Sequence, residues 1–121
     1  MTTATGHTEA IPASRVIGTN VYNAAGETIG TIEDVMLDKT SNGIMFAVVG
    51  FGGFLGIGEK YHAIPWSVLD YDKSRGGYVV PFSAEQLKAA PAYSVSELTE
   101  DDGRMARDAS FAHYRVEPYW H

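Results

Sequence analysis

The chain has no cysteine among its 121 residues. This absence excludes disulfide bonds, thiolate nucleophiles and cysteine-based zinc sites, and it fits a reducing compartment. A long hydrophobic run is also missing, because the most apolar segment, Ile44 to Gly58, is interrupted by glycines and is shorter than the roughly 20 residues that a membrane-spanning helix needs. Residues Met1 to Pro12 lack the basic start and apolar run of a signal peptide. We therefore predict a cytoplasmic protein with no direct membrane insertion.

Basic residues are scarce. Nine lysines and arginines stand against fifteen acidic residues, which gives a formal net charge of −6. Non-specific binding of nucleic acid needs a basic face that releases counterions from the phosphates, and anionic lipid surfaces repel an acidic protein. We therefore expect no nucleic-acid partner.

Residues with the spacing of a catalytic or metal site are also lacking. The four histidines do not pair at metal-ligand spacing on any one element. No Gly-x-Ser-x-Gly motif occurs, and the adjacent carboxylates Glu33 and Asp34 point to opposite faces of a strand. An enzyme needs a nucleophile, a base and an orienting group within reach of one another. We therefore predict that the protein is not an enzyme and that it has no metal and no cofactor.

What the sequence does contain is a series of short strand-like runs separated by turn signals. Ile44 to Phe51 is continuously apolar and rich in β-branched and aromatic residues, which predicts the most buried strand. Thr28 to Leu37 alternates imperfectly, and a bulge between Gly30 and Asp34 would reconcile its two registers. Regularly spaced short strands favour a small barrel. We predict a mostly β fold, a small β-barrel of five to six short strands over residues 14–92, with a short closing helix that begins at the capping box of Ser83 and Gln86.

The two ends of the chain differ in composition from this central part. Residues 1–13 are small and polar, which predicts a disordered N-terminal tail. Residues 93–121 are predicted to form a partly helical C-terminal extension. The acidic stretch Thr99 to Asp102 suits a helix start, and Met105, Ala109 and Ala112 share one face of the helix that would follow.

The most unusual segment lies between Gly50 and Gly58, where five glycines alternate with large apolar residues. Apolar side chains on a connection either pack under their own domain or contact a partner. The segment departs from a phosphate-binding loop, because Glu59 and Lys60 follow it where Lys and Ser or Thr belong. The aromatic residues near the C-terminus allow the same two interpretations, packing within the domain or contact with a partner. The candidate interaction residues are Phe51, Phe54, Leu55, Ile57, Trp66, Tyr114, Tyr119 and Trp120.

Several segments occur together in the order and spacing of a known family. They are Val16-Ile17-Gly18 with Val21-Tyr22-Asn23, Gly26-Glu27-x-Ile29-Gly30-x-Ile32-Glu33-Asp34-Val35, Phe51-Gly52-Gly53-Phe54-Leu55-Gly56-Ile57-Gly58, and Ile64-Pro65-Trp66. Over residues 14–92 the chain resembles the PRC-barrel domain family. The resemblance implies a small β-barrel of the kind found in the cytoplasmic part of the photosynthetic reaction-centre H subunit, in the C-terminal domain of a ribosome maturation factor, and in stand-alone bacterial and archaeal proteins. The chain lacks the membrane helix of the first and has no room for the N-terminal domain of the second, so the stand-alone bacterial type is implied. No residue of the H subunit's proton path matches a motif here.

Three functions remain open. The leading hypothesis is a non-enzymatic protein-interaction or assembly module, with an unknown protein partner and with self-association into a homo-oligomer. The first alternative is a soluble accessory of a photosynthetic or other membrane electron-transfer complex, related to the reaction-centre H subunit. The second is a small-ligand or nucleotide binder that uses the glycine loop.

Overall fold

The computed structural model describes residues 10–50 and 60–119. Its six strands are β1 (Asn20–Tyr22), β2 (Thr28–Asp38), β3 (Gly43–Gly50), β4 (His62–Pro65), β5 (Asp70–Asp72) and β6 (Gly77–Val79). Its α-helices are α1 (Ala13–Val16), α2 (Ala84–Lys88), α3 (Val95–Leu98) and α4 (Arg104–Tyr114), and two 3-10 helices span Trp66–Val68 and Glu100–Gly103. The mostly β prediction is confirmed. None of the helices in the described ranges combines the length and apolarity needed to cross a membrane.

The strands form one mixed sheet in the order β4-β3-β2-β1-β6-β5. All neighbours are antiparallel except β1 and β6, which run parallel. The two outermost strands, β4 and β5, are consecutive in the chain. From Pro65 to Asp70 the chain can span at most about 18 Å, whereas the outer strands of a flat six-stranded sheet lie about 24 Å apart. The sheet is therefore strongly curved, although no ladder joins β4 to β5 among the described residues.

The concave face of the curved sheet encloses the inner core. Five strands contribute to this one cluster. Their buried members include Val21, Ile32, Val49, Ile64 and Tyr78. Helix α2 adds Leu87 to the same cluster, and the predicted capping box of Ser83 and Gln86 is present at its start.

Strand β3 is buried on both faces, which explains its continuous apolar run. Ala47 and Val49 belong to the inner core, whereas Phe46 and Val48 belong to a second cluster on the other side of the sheet. The predicted irregularity of β2 is confirmed, because its register with β3 shifts between Ile32 and Asp34.

The C-terminal residues form a layer over this second face. Tyr93, Leu98 and Ala106 pack in the second cluster with Phe46 and Val48. Helix α3 begins with a capping box in which the Glu97 amide donates to Ser94 Oγ and the Ser94 amide donates to Glu97 Oε1. The sheet and the C-terminal layer therefore share one apolar cluster.

The start of the last helix differs from prediction. Asp101 and Asp102 have positive φ angles of 54° and 58°, and α4 starts only after Gly103, with φ 82°. Gly103 packs against Met36 and Met45, which fixes the turn of the chain at this point. The buried face of α4 consists of Ala106, Arg107, Ser110, Phe111 and Tyr114, while Met105 is 44% exposed and Ala112 is exposed. The predicted face of Met105, Ala109 and Ala112 is therefore the more exposed side of α4.

Candidate interaction surface

The glycine-rich loop connects β3 to β4. Its four candidate residues, Phe51, Phe54, Leu55 and Ile57, lie outside the described residues. The residues on either side of the loop, Gly50 and Lys60, are described, and we call them its anchors.

The first anchor is Gly50, the last residue of β3, which pairs with Thr31 of β2. A Cβ atom at Gly50 would lie 3.0 Å from Glu33 Oε2, so the Glu33 side chain packs directly over this glycine. The Thr31 hydroxyl donates to the same carboxylate oxygen over 3.1 Å. A carboxylate therefore lies over the start of the loop.

The second anchor, Lys60 and Tyr61, is attached to the C-terminal layer. The Tyr61 and Tyr93 amides each donate to the other residue's carbonyl over 2.7 Å. Lys60 Nζ lies 3.8 Å from Glu97 Oε1. The hydrogen bonds of the Ser94 cap, followed by the charge of Lys60, hold the pKa of Glu97 below its usual value. The end of the loop and the start of α3 are thus joined.

Two exposed apolar side chains flank these anchors. Ile17 is 44% exposed and directly precedes Gly18, whose amide donates to the Ile32 carbonyl over 2.7 Å. Ile32 pairs with the β3 residue next to Gly50, so Ile17 lies on the β2 side of the loop. Val95 is 65% exposed and follows Tyr93 by two residues, so it lies on the β4 side. We call Ile17, Gly50, Lys60 and Val95 the loop-end surface.

The exposed aromatic residue of the C-terminus lies at the other end of the sheet. The Tyr119 hydroxyl donates to Asp38 Oδ2 over 2.9 Å, and its ring centroid lies 6.0 Å from that of Phe111. Asp38 pairs with Gly43 at the start of β3, about 23 Å along the strand from Gly50. Hydrogen bonds from Thr40, followed by the one from Tyr119, hold the pKa of Asp38 well below its usual value. The fold therefore separates Tyr119 from the loop anchors. Trp120 falls beyond the last described residue.

The remaining two candidates pack within the domain. Tyr114 is 6% exposed, and its ring stacks on Phe82 with centroids 4.5 Å apart. Burial raises the pKa of Tyr114. Trp66 is half-buried against the inner core, with its ring centroid 5.6 Å from that of Tyr78. Packing within the domain therefore accounts for Tyr114 and for the buried part of the Trp66 side chain.

Two features of the described part of the chain bear on small-molecule binding. No group of three or more metal-ligating side chains occurs within it. A shallow groove of about 350 Å³ lies beside the end of α4. Its lining residues are Asp108, Phe111, Ala112, Arg115, Val116 and Pro118. Sequence reasoning missed Ile17 and Val95, because a single apolar residue beside a short helix looks the same in sequence whether it is buried or exposed.

The comparison with protein families gives one finding. The model of the PRC-barrel domain matches residues 8–87, which are 80 of the 121 residues. The match includes all six strands and ends within α2, so that α3 and α4 lie beyond it. No curated protein matches the chain.

Proposed function

The chain belongs to the PRC-barrel domain family, and from this premise we propose that it is a non-enzymatic module for protein interaction and assembly. The observation that carries the proposal is the loop-end surface. Ile17 and Val95 are exposed on the two sides of a loop that contains four large apolar residues. Exposed apolar side chains that gather at one place on a soluble protein are typical of contact sites.

The scaffold proposed for this module is a closed barrel. The short connection between β4 and β5 supports closure, because it draws the two outer strands of the sheet towards each other. Closure removes exposed strand edges, which otherwise invite unspecific pairing with other chains. Contacts with a partner would then be made by side chains at the end of the barrel rather than by strand addition.

The simplest partner is a second copy of the chain, in the cytoplasm. Isologous contacts between identical apolar surfaces are the commonest route to a dimer. A patch centred on the loop could supply the apolar centre of such an interface, with Glu33 and Glu97 at its polar rim. We therefore expect a homo-oligomer that is assembled through the loop-end surface.

Size-exclusion chromatography with light scattering tests this proposal. We expect the full chain to elute as a dimer or larger species, and Val95→Ser, Ile17→Ser and Leu55→Ser to shift it towards the monomer. Leu37→Ser is the matched control, since Leu37 is 61% exposed but belongs to the far end of β2. An assembly that survives all three loop-end substitutions, or that is lost equally with Leu37→Ser, would contradict the proposed surface. A wild-type monomer would rule out self-association and leave only an external protein partner.

The charges at the loop anchors argue against the nucleotide-binding alternative. Glu33 lies over Gly50, and Glu97 is paired with Lys60, the cation nearest the end of the loop. A phosphate in this loop would meet one carboxylate at its start and would compete with another for the lysine. A nucleotide that bound here would raise the melting temperature through linkage, and we expect no such rise in a thermal-shift screen with ATP and GTP.

A further inference from the structure

A buried imidazole lies where the sheet meets the C-terminal layer. His62 is the first residue of β4, and it is 8% exposed. Strand β4 packs against α4, the main helix of that layer. The His62 ring donates a hydrogen bond to the carbonyl of Pro91, in the segment that leads into the layer. A titratable group is therefore enclosed where the sheet meets the C-terminal layer, one residue from the main-chain bridge between Tyr61 and Tyr93.

A second imidazole belongs to the helix on the other side of this contact. His113 lies in the last turn of α4, and its Nε2 is 2.9 Å from the Gln86 carbonyl oxygen, to which it donates in its Nε2–H form. The two rings are close enough for a positive charge on His113 to oppose protonation of His62. Each histidine thus belongs to one side of the contact and hydrogen-bonds a main-chain carbonyl.

The other ionisable groups around this contact do not neutralise a charge on His62. Strand β3 contributes none, because its residues from Gly43 to Gly50 are all non-ionisable. Burial raises the pKa of the Tyr93 and Tyr114 phenols, so both stay neutral in acid. On α4, Arg107 is buried and pairs with Asp108 over 3.0 Å. Lys60 and Glu97, at the start of β4 and on α3, pair with each other.

We propose that His62 and His113 form an acid-sensitive latch, which holds the C-terminal layer on the sheet at neutral pH and loosens it in mild acid. In the closed form His62 is neutral and enclosed. In the open form it reaches water and takes up a proton without a desolvation penalty. The latch therefore couples proton uptake to exposure of the second cluster, which includes Phe46 and Val48.

The direction of the effect follows from linkage. Burial, and to a smaller extent the charge of His113, hold the pKa of His62 below its ordinary value of 6.5, against the opposing hydrogen bond from the ring to Pro91. The open form therefore binds more protons than the closed form once the pH falls through 6.5. The stabilising contribution of neutral His62 is complete above that pH, and it declines until the pH lies below the pKa in the closed form. Over this window the ratio of open to closed molecules rises.

Hydrogen exchange of the full chain at about pH 7.5 and about pH 5.5 tests the latch, after correction for intrinsic exchange rates. We expect several-fold loss of protection in α4 at the lower pH, with β1 and β2 unchanged. His62→Gln should abolish this pH dependence, and His113→Gln should reduce it. His7→Gln is the matched control, because His7 precedes the first described element and should leave the dependence intact.

Three results would overturn the proposal. They are equal protection of α4 at the two pH values, a loss of protection that is the same in every element, and a loss that persists in His62→Gln. If His62→Gln fails to fold, an NMR titration of the wild-type His62 ring tests the latch instead. A midpoint below 6.5 that coincides with shifts of the α4 amides supports the latch, and a midpoint at or above 6.5 rejects it.

Discussion

Helix α3 offers a matched pair of substitutions that separates packing from interaction. Leu98 is 4% exposed and packs in the second cluster with Phe46 and Ala63, whereas Val95 on the same helix is 65% exposed. Leu98→Ala removes a buried isopropyl group from the contact between the C-terminal layer and the sheet. Val95→Ala removes two methyl groups that already face solvent.

The expected losses of unfolding free energy differ several-fold between the two substitutions. A buried Leu→Ala change costs about 2–5 kcal/mol of unfolding free energy, and we take about 3 kcal/mol because α3 is short and can partly relax into the cavity. The entropy of unfolding for 121 residues is about 0.25 kcal/mol/K, so this cost lowers the melting temperature by about 12 °C. An exposed substitution costs less than about 0.5 kcal/mol, or about 2 °C.

Thermal unfolding followed by circular dichroism, at one fixed protein concentration, measures both changes. The concentration must be low enough for the chain to be monomeric, because association through Val95 would itself raise the melting temperature. If Leu98→Ala lowers the melting temperature no more than Val95→Ala does, the C-terminal layer does not pack on the sheet through α3. A fall of 10 °C or so for Val95→Ala would instead show that this side chain is buried.

Three further substitutions and one pH dependence test local features of the fold. Gly77→Ala should lower the free energy of unfolding by about 2–3 kcal/mol, because the added Cβ would lie 2.5 Å from the Asn20 carbonyl oxygen. Gly76→Ala meets open space and should lower it by about 1 kcal/mol, through the φ of 69° at this position alone. Urea unfolding of the two variants measures the difference. Ser94→Ala removes the capping box of α3 and should cost about 1 kcal/mol in the same assay. Because the pKa of Glu97 is lowered in the folded state, ionised Glu97 stabilises the fold above about pH 4.5, and this stabilisation is lost as the pH falls further. The urea midpoint should therefore decline less steeply with falling pH in Ser94→Ala than in the wild type. An equally steep decline in both proteins would contradict the role of this cap.

Local patterns were sufficient to predict several of the strands but not their arrangement. The apolar run of β3 and the broken alternation of β2 are visible in a few adjacent residues, and both predictions are confirmed. The parallel pairing of β1 with β6 joins Val21 to Tyr78, which lie far apart in the sequence. No turn signal specifies such a contact, since parallel strands meet only through a long connection.

The error in α4 has a local cause that the sequence partly contains. Acidic residues at Thr99 to Asp102 suit a helix N-terminus, but Ser94 and Glu97 have the spacing of a capping box and start a helix earlier. That helix ends at Leu98, and the chain then passes through left-handed backbone at Asp101 and Asp102. Gly103, which precedes α4, is buried beside Met36 and Met45 of the sheet, and this tertiary contact is not visible in the local sequence.

The candidate contact residues were recognised by type, and their burial could not be derived from type alone. Tyr114 and Tyr119 are both aromatic residues near the C-terminus, yet one is 6% exposed and the other is 42% exposed. Tyr114 is the last residue of α4 and shares its buried face with Ser110 and Phe111, whereas Tyr119 lies beyond the end of the helix.

The end of the family match bears on where a partner can bind. The match stops at residue 87, but the outer face of β3 is covered by Tyr93, Leu98 and Ala106, which follow it. An apolar sheet face must be covered by another layer, and in this chain the C-terminal residues provide it. Phe46 and Val48 are therefore buried, and they are not a free docking surface. The loop-end surface stays exposed beside this layer, so a partner could bind there without displacing the C-terminal residues.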